Sequence, residues 1–374
     1  MQNIFLERIT LYNFKNYEEA EMKFTSPLVC LLGNNGSGKT NILDAIYYLS
    51  FTRSFFNPAD SQNIAEGHDQ CSISGEFLRG EMPEVIHCAI RRNQKKILKR
   101  NFKEYEKLAD HIGHLPCVIV TPYDIELIWE GSEERRRFID TTISQYSREY
   151  LDHLMHYNHA LNQRNNLLKS FGSGTPFQAD VLEAWDYQLC ERGQKIHETR
   201  SQFMTEFIPL VQSIYEKISS GKEVPSVEYE SELIADRMEV LLTKSRDKDR
   251  ILERTTVGPH KDDLEFKLNV RSLKKFASQG QQKSFLFALK LAQFEIIRRH
   301  IGLNPILMLD DLFDKVDESR VRQILHWLFE NHIGQAFITD THPTRIPELL
   351  KSMHFSHQVY AVEDGKIHQP EMAI

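Results

Sequence analysis

No run of about 18 apolar residues occurs in this chain of 374, so no segment reads as a membrane-spanning helix. The opening residues, Met1-Gln2-Asn3-Ile4, lack the basic-then-apolar pattern of a secretory signal. Cysteine is scarce. Cys30, Cys71, Cys88, Cys117 and Cys190 are odd in number, form no C-x-x-C pair and mostly lie in apolar runs, which excludes a disulfide frame and a zinc site. These absences set the expectation of a cytoplasmic protein with no membrane partner. An excess of positive charge is also lacking: the net charge is −7, so any nucleic-acid surface must be a local patch. There is no repeat of fixed period, and Pro176, Pro209 and Pro225 interrupt any long heptad coil.

What is present is a set of nucleotide-binding segments spread from one end of the chain to the other. Gly33-Asn34-Asn35-Gly36-Ser37-Gly38-Lys39-Thr40 fits the phosphate-loop pattern G-x-x-x-x-G-K-[ST]. Leu28 to Leu32 reads as a buried strand before it and Asn41 to Leu49 as a helix after it. Backbone N–H groups at a helix N-terminus make an anion cradle, and glycines let the main chain approach phosphates closely. Lys39 is expected to reach the β- and γ-phosphates of ATP, and the Thr40 hydroxyl to ligate Mg²⁺.

Farther on, Ile306 to Leu309 reads as a buried strand ending in Asp310 and Asp311. Asp310 is expected to hold the metal ion through water, and Asp311 to orient or deprotonate the attacking water. Alone, the pair reads equally as a solvated turn or helix cap. Ser278-Gln279-Gly280-Gln281-Gln282 opens a long helical pattern. Its hydroxyl, the Gly280 N–H and the helix N-terminus, with Gln281 alongside, offer donors to a γ-phosphate. One phosphate loop already serves the chain's own nucleotide, so this second donor cluster is expected to cap that of a partner copy across a two-fold axis. By itself it could be an ordinary helix cap with Ser278 as N-cap.

One basic patch stands out. Arg91, Arg92, Lys95, Lys96, Lys99 and Arg100, with Lys103 and Lys107, face only Glu104 and Glu106. Interleaved Ile90, Ile97, Leu98, Phe102 and Tyr105 suggest paired strands around a turn near Asn93-Gln94. Such cations could neutralise DNA phosphates without reading sequence, although charge runs are often only solvated.

The chain resembles the RecF family of DNA replication and repair proteins over nearly its whole length. The resemblance rests on Leu6 to Tyr17, Gly33 to Thr40, Glu133 to Asp140, Leu161 to Lys169, Gly258 to Leu264, Phe276 to Ser284 and Leu309 to Arg320. Asn269-Val270 departs from the family's usual Asn-Gly, and Asp314-Lys315-Val316-Asp317 from its usual Ser-Glu-Leu-Asp. The resemblance implies an α/β ABC-type ATPase head: a P-loop mixed sheet (lobe I) with a mainly helical second lobe and no long coiled coil. It further implies ATP and Mg²⁺ as cofactors and ATP-induced homodimerisation on duplex or gapped DNA. Slow hydrolysis would release the DNA, and RecR and RecO would be partners in loading the RecA recombinase.

Residues 1–120 and 300–374 are expected to form lobe I, and 121–299 the helical lobe carrying the signature turn. Within that lobe Leu151, Leu154, Asn158, Leu161, Asn165 and Leu168 recur at helical spacing as one packed face. A small-molecule phosphoryl-transfer enzyme is the alternative. It would use the same loop with Asp311 as base, but would need no signature turn at Ser278.

Overall fold

The structure, a computed structural model, describes residues 2–173, 179–221, 223–311, 318–331 and 333–368. The segment Asp314 to Asp317 lies outside the described residues. The chain forms two compact units. The first comprises Met1–Asp124, Lys217–Ser219 and Gln279–Ile374, and the second Ile125–Glu216 and Ser220–Ser278.

The first unit contains two sheets. In one, Gln2–Phe14, Gln70–Arg79, Met82–Arg91, Ile97–Arg100 and Lys103–Glu104 follow one another as antiparallel neighbours, with Tyr17–Lys23 also paired to the first. In the other, the order is Lys366–His368, Gln358–Glu363, Leu28–Leu32, Gln335–Asp340, Ile306–Leu309, Cys117–Val120, and every pair except that at the Lys366–His368 edge is parallel. Strands of this sheet such as Leu28–Leu32 and Ile306–Leu309 are buried at every position, which is why they read as unbroken apolar runs without alternation. The helix Lys39–Phe51 is buried nearly all round because it contacts strands of both sheets, with Ile42, Leu43, Ala45 and Ile46 fully buried.

The boundary expected between residues 299 and 300 falls instead between Ser278 and Gln279. Helix Gln279–Ile301 is buried continuously from Ser284 to Ile297 and packs on strand Cys117–Val120, so it belongs to the sheet-bearing unit. Its buried Lys290 confirms the placement locally: Nζ meets Asp124 at 2.5 Å and donates to the Ile119 carbonyl.

The second unit is mainly helical, with Ser132–Ser144, Arg148–Gly172, most of Ala179–Ser219 and Met238–Leu252 beside a small sheet of Pro225–Glu230, Asp263–Leu268 and Arg271–Ser272. The buried stripe of Arg148–Gly172 is Tyr150, Tyr157, Ala160, Arg164 and Leu168, whereas Asn158 is exposed and Leu151, Leu154 and Leu161 are only half-buried. The leucine face departs from expectation because a charged residue occupies its centre. Arg164, fully buried, pairs with Asp186 at 2.6 Å and Asp249 at 2.7 Å. Arg200, also buried, pairs with Asp140 at 2.8 Å and Asp262 at 2.7 Å. Arg135 forks onto Asp263, and Arg136 donates to the Asp262 carbonyl. Several residues of the family-like segments thus hold the unit together, and removing one partner of a buried pair strands the other charge.

Two histidines, His111 buried and His260 half-buried, have matching surroundings, one in each unit. His111 Nε2 lies 2.6 Å from the Leu49 carbonyl, and His260 Nε2 lies 3.1 Å from the Thr255 carbonyl. A carbonyl only accepts, so Nε2 carries the proton, and Nδ1 accepts from Tyr105 in one case and Tyr157 in the other. Burial pushes both rings down to about 4. A histidine depressed in the folded state contributes stability above pH 6.5 that is lost as pH falls towards 4. At pH 5 the loss should be on the order of 2 kcal/mol for each ring. Urea midpoints should therefore fall between pH 7 and pH 5, and His111→Gln should flatten the profile of the first unit. An equally steep profile in that variant would show that His111 does not titrate with unfolding.

Candidate nucleotide site

The carboxyl ends of Leu28–Leu32, Gln335–Asp340 and Ile306–Leu309 lie side by side, so the loops that leave them share one edge of the parallel sheet. Ligands bind at such edges in open α/β sheets. The phosphate loop leaves the first strand. A Cβ on Gly33 would lie 2.1 Å from the Val362 carbonyl oxygen, and Gly38 has φ 117° with Tyr17 Oη 2.6 Å from where its Cβ would be. Only glycine fits at either position.

Lys39 arches back over the loop, with Nζ donating to the Gly33 and Asn34 carbonyls at 2.8 Å each. Burial lowers its pKa, opposed by the charges of Asp310, Asp311 and Asp340. The Thr40 hydroxyl lies 3.0 and 3.1 Å from the two carboxylate oxygens of Asp310, although the residues are 270 positions apart. Thr339 Oγ1 donates to the same carboxylate at 2.7 Å and accepts from the Asp311 N–H at 2.8 Å. Burial raises the Asp310 pKa against these two hydroxyl donors. A threonine hydroxyl and one carboxylate at this spacing suit a hard cation that keeps its water and takes phosphate oxygens, as Mg²⁺ does. Among the described residues there is no group of three His, Cys, Asp or Glu side chains that could hold a metal by themselves.

These groups line an open cavity of about 590 Å³, of a size for a nucleotide. Asn35, Gly36, Gly38, Lys39 and Thr40 line it together with Asp310, Asp311, Thr339 and Thr341. Five further lining residues were not anticipated from sequence: Lys15, Phe56, Asn57, Gln62 and Tyr123. Lys15 Nζ sits 2.5 Å from the fully buried carboxylate of Asp44 and 5.4 Å from the Phe56 ring centre, and Phe56 meets Tyr123 edge to face. In sequence Lys15 falls in the family-like segment Leu6 to Tyr17, and in the structure it sits in a turn where Asn13 and Lys15 both adopt positive φ. Asp340 is taken up by Arg345 at 2.5 and 2.9 Å, which leaves Thr339 and Thr341 as the side chains of that strand end facing the cavity.

Gly280 and Gln281 do not line this cavity, and Ser278 is exposed. The turn is shaped from behind by Arg320, which donates to the Gly280 carbonyl at 2.9 Å and to Ser284 Oγ at 2.6 Å. A Cβ on Gly280 would meet nothing closer than Arg320 at 3.9 Å, so there is room for one there.

The basic hairpin forms, with Ala89 opposite Ile97 and His87 opposite Lys99, but its cations divide into two sets. Lys96 turns inward, with Nζ 2.6 Å from the Thr52 carbonyl, 2.9 Å from Asp60 and 3.3 Å from Tyr48 Oη. Arg100 pairs with buried Glu84 at 2.7 Å. Arg91 donates to Gln70 and Arg92 to the His68 carbonyl, both on the surface. Lys95 and Lys103 are exposed and Lys99 half-buried. Lys96 is thus part of the fold rather than of an open phosphate-binding face.

An AAA domain profile matches residues 8–331. The chain is 45% identical to the DNA replication and repair protein RecF of Flavobacterium johnsoniae, over 95% of this chain and 99% of that protein. It is equally similar to the protein of the same name from Phocaeicola vulgatus, at 45% identity over 98% and 99%. A solved structure of the recombination mediator protein RecF with ATP superposes with a TM-score of 0.88 at 28% identity, over 99% of this chain and 98% of that one. The Smc head domain of Pyrococcus furiosus shares the fold, with a TM-score of 0.58 at 16% identity over 98% and 96%.

Proposed function

This chain belongs to the RecF family of DNA replication and repair proteins, and from that premise we propose that it is an ATP-switched DNA clamp that acts as a recombination mediator. The observation that carries this reading is the meeting of Thr40, Asp310 and Asp311 at the mouth of the phosphate loop. Lys39 and the loop amides would bind the β- and γ-phosphates, and Thr40 and Asp310 would hold Mg²⁺. The metal would neutralise charge developing on the phosphates. Asp311 would orient or deprotonate the attacking water, and the short reach of an aspartate compared with a glutamate would keep turnover slow and switch-like. Ser278, Gly280 and Gln281 would complete the site of a second copy, so that ATP drives dimerisation and hydrolysis reverses it. RecR and RecO are the protein partners this reading implies, with RecA loading on gapped DNA as the outcome.

The DNA contact is assigned to the hairpin cations that the fold does not take up, and the inward role of Lys96 changes how it must be tested. Reversing Lys95, Lys99 and Lys103 to Glu, with Lys96 left intact, should weaken duplex binding for every sequence in the presence of ATP. The dependence of log affinity on log salt should become shallower by roughly 0.9 for each phosphate that is no longer neutralised. Fluorescence anisotropy at several salt concentrations measures both. Unchanged affinity with an unchanged slope would remove this hairpin from the DNA interface.

A further inference from the structure

The tip of the basic hairpin carries features that the fold does not explain. Strands Ile97–Arg100 and Lys103–Glu104 are joined by the two-residue turn Asn101-Phe102, with φ of 48° and 67°. Turns of this kind favour Asn followed by Gly, because a side chain disfavours positive φ at the second position. Phe102 occupies that position and is 86% exposed. Arg100 and Lys103 face one another directly across the turn, and like charges so placed repel. Arg100 turns to Glu84, which leaves Lys103 exposed beside the ring.

Positive φ alone assigns nothing, since Asn269-Val270 adopts the same backbone in the second unit. The tip at Phe102 differs in presenting a flat aromatic ring among cations. It is also held firmly. The Asn101 N–H donates to the Val85 carbonyl at 2.9 Å, and the Val85 N–H donates to Asn101 Oδ1 at 2.8 Å. On the same sheet, Ile97 and Tyr12 are 39% and 49% exposed and line a cavity of about 270 Å³ together with Arg91 and Lys95. Cations alternating with exposed apolar and aromatic side chains suit a partner that carries both phosphates and flat apolar faces.

We infer that Phe102 is a base-stacking finger: its ring stacks on an unpaired nucleobase while the exposed Lys103 holds the adjoining phosphate. This rests on the DNA-binding reading above and adds to it a preference for DNA that offers at least one unstacked base. Stacking is indifferent to base identity because every base has a π-face, so the finger recognises strand state rather than sequence.

The test uses the full chain with ATP and two probes of equal length. One is a blunt duplex; the other carries a single-stranded overhang containing 2-aminopurine. Phe102→Ala and Phe102→Gly are compared with wild type. Glycine suits the turn, so a loss of binding in that variant cannot be ascribed to a damaged hairpin. Both variants should lose roughly tenfold in affinity for the overhang while blunt-duplex affinity and the salt slope stay unchanged. Wild type should quench 2-aminopurine and the variants should not. Variants that bind and quench like wild type would overturn the stacking role and leave the DNA-binding reading standing. If wild type binds neither probe, both fall together.

Discussion

Replacing Asp311 with asparagine should leave ATP binding intact and slow hydrolysis by about two orders of magnitude or more, the usual contribution of a positioned base. The substitution is unusually clean at this position. Asp311 has φ 44°, a left-handed conformation that Asp and Asn both tolerate, and its N–H is held by Thr339. The backbone should therefore stay where it is, and only the carboxylate's ability to take a proton is removed. The neighbouring pair of Thr40 and Asp310 is untouched, so affinity for Mg²⁺-ATP should not change. Phosphate release under single-turnover conditions, beside equilibrium nucleotide binding, separates the two effects. Hydrolysis at the wild-type rate would move the base elsewhere in the cavity.

Ser278→Arg should bind ATP normally and fail to dimerise at concentrations where wild type is fully dimeric. ATP binding survives because Lys39 and Thr40 line the cavity and Ser278 is exposed outside the phosphate loop. Dimerisation should fail because the signature turn is built for close approach: Gly280 carries no side chain, and Arg320 braces its carbonyl. A long cation placed where a small hydroxyl must reach a γ-phosphate keeps the two copies apart. Normal ATP-dependent dimers of this variant would make Ser278 a helix cap and nothing more.

The phosphate loop was legible in the sequence because its chemistry is local: a buried strand, a run of glycines and a helix must be consecutive to work. Asp310 and Asp311 were legible for a related reason, since a strand buried on both faces shows as an apolar run and its end shows as the first charge. What decides the rest is long-range packing. Helix Gln279–Ile301 is rich in apolar residues without a clear polar stripe, which identifies a buried helix without saying which unit buries it. The lining by Lys15, Phe56 and Tyr123 is gathered from three separate segments, none of which carries a nucleotide motif.

The basic hairpin holds a signal that a count of charges misses. Side chains alternate across a strand, so Lys96, Leu98 and Arg100 share the inward face while Ile97 and Lys99 share the other. A charge count treats all six cations alike; the period of two separates those that hold the fold from those that face solvent. Arg164 and Arg200 make the complementary case. Charged residues in a helical pattern ordinarily point outward, yet each of these is buried between two aspartates.

Sedimentation velocity of the wild-type chain with Mg²⁺-ATP, with Mg²⁺-ADP and without nucleotide tests the ATP-switched dimer most directly. A composite site needs the γ-phosphate to bridge one copy's phosphate loop and the other's signature turn, so a dimer should appear with ATP and only monomer with ADP or no nucleotide. The same oligomeric state under all three conditions would contradict it.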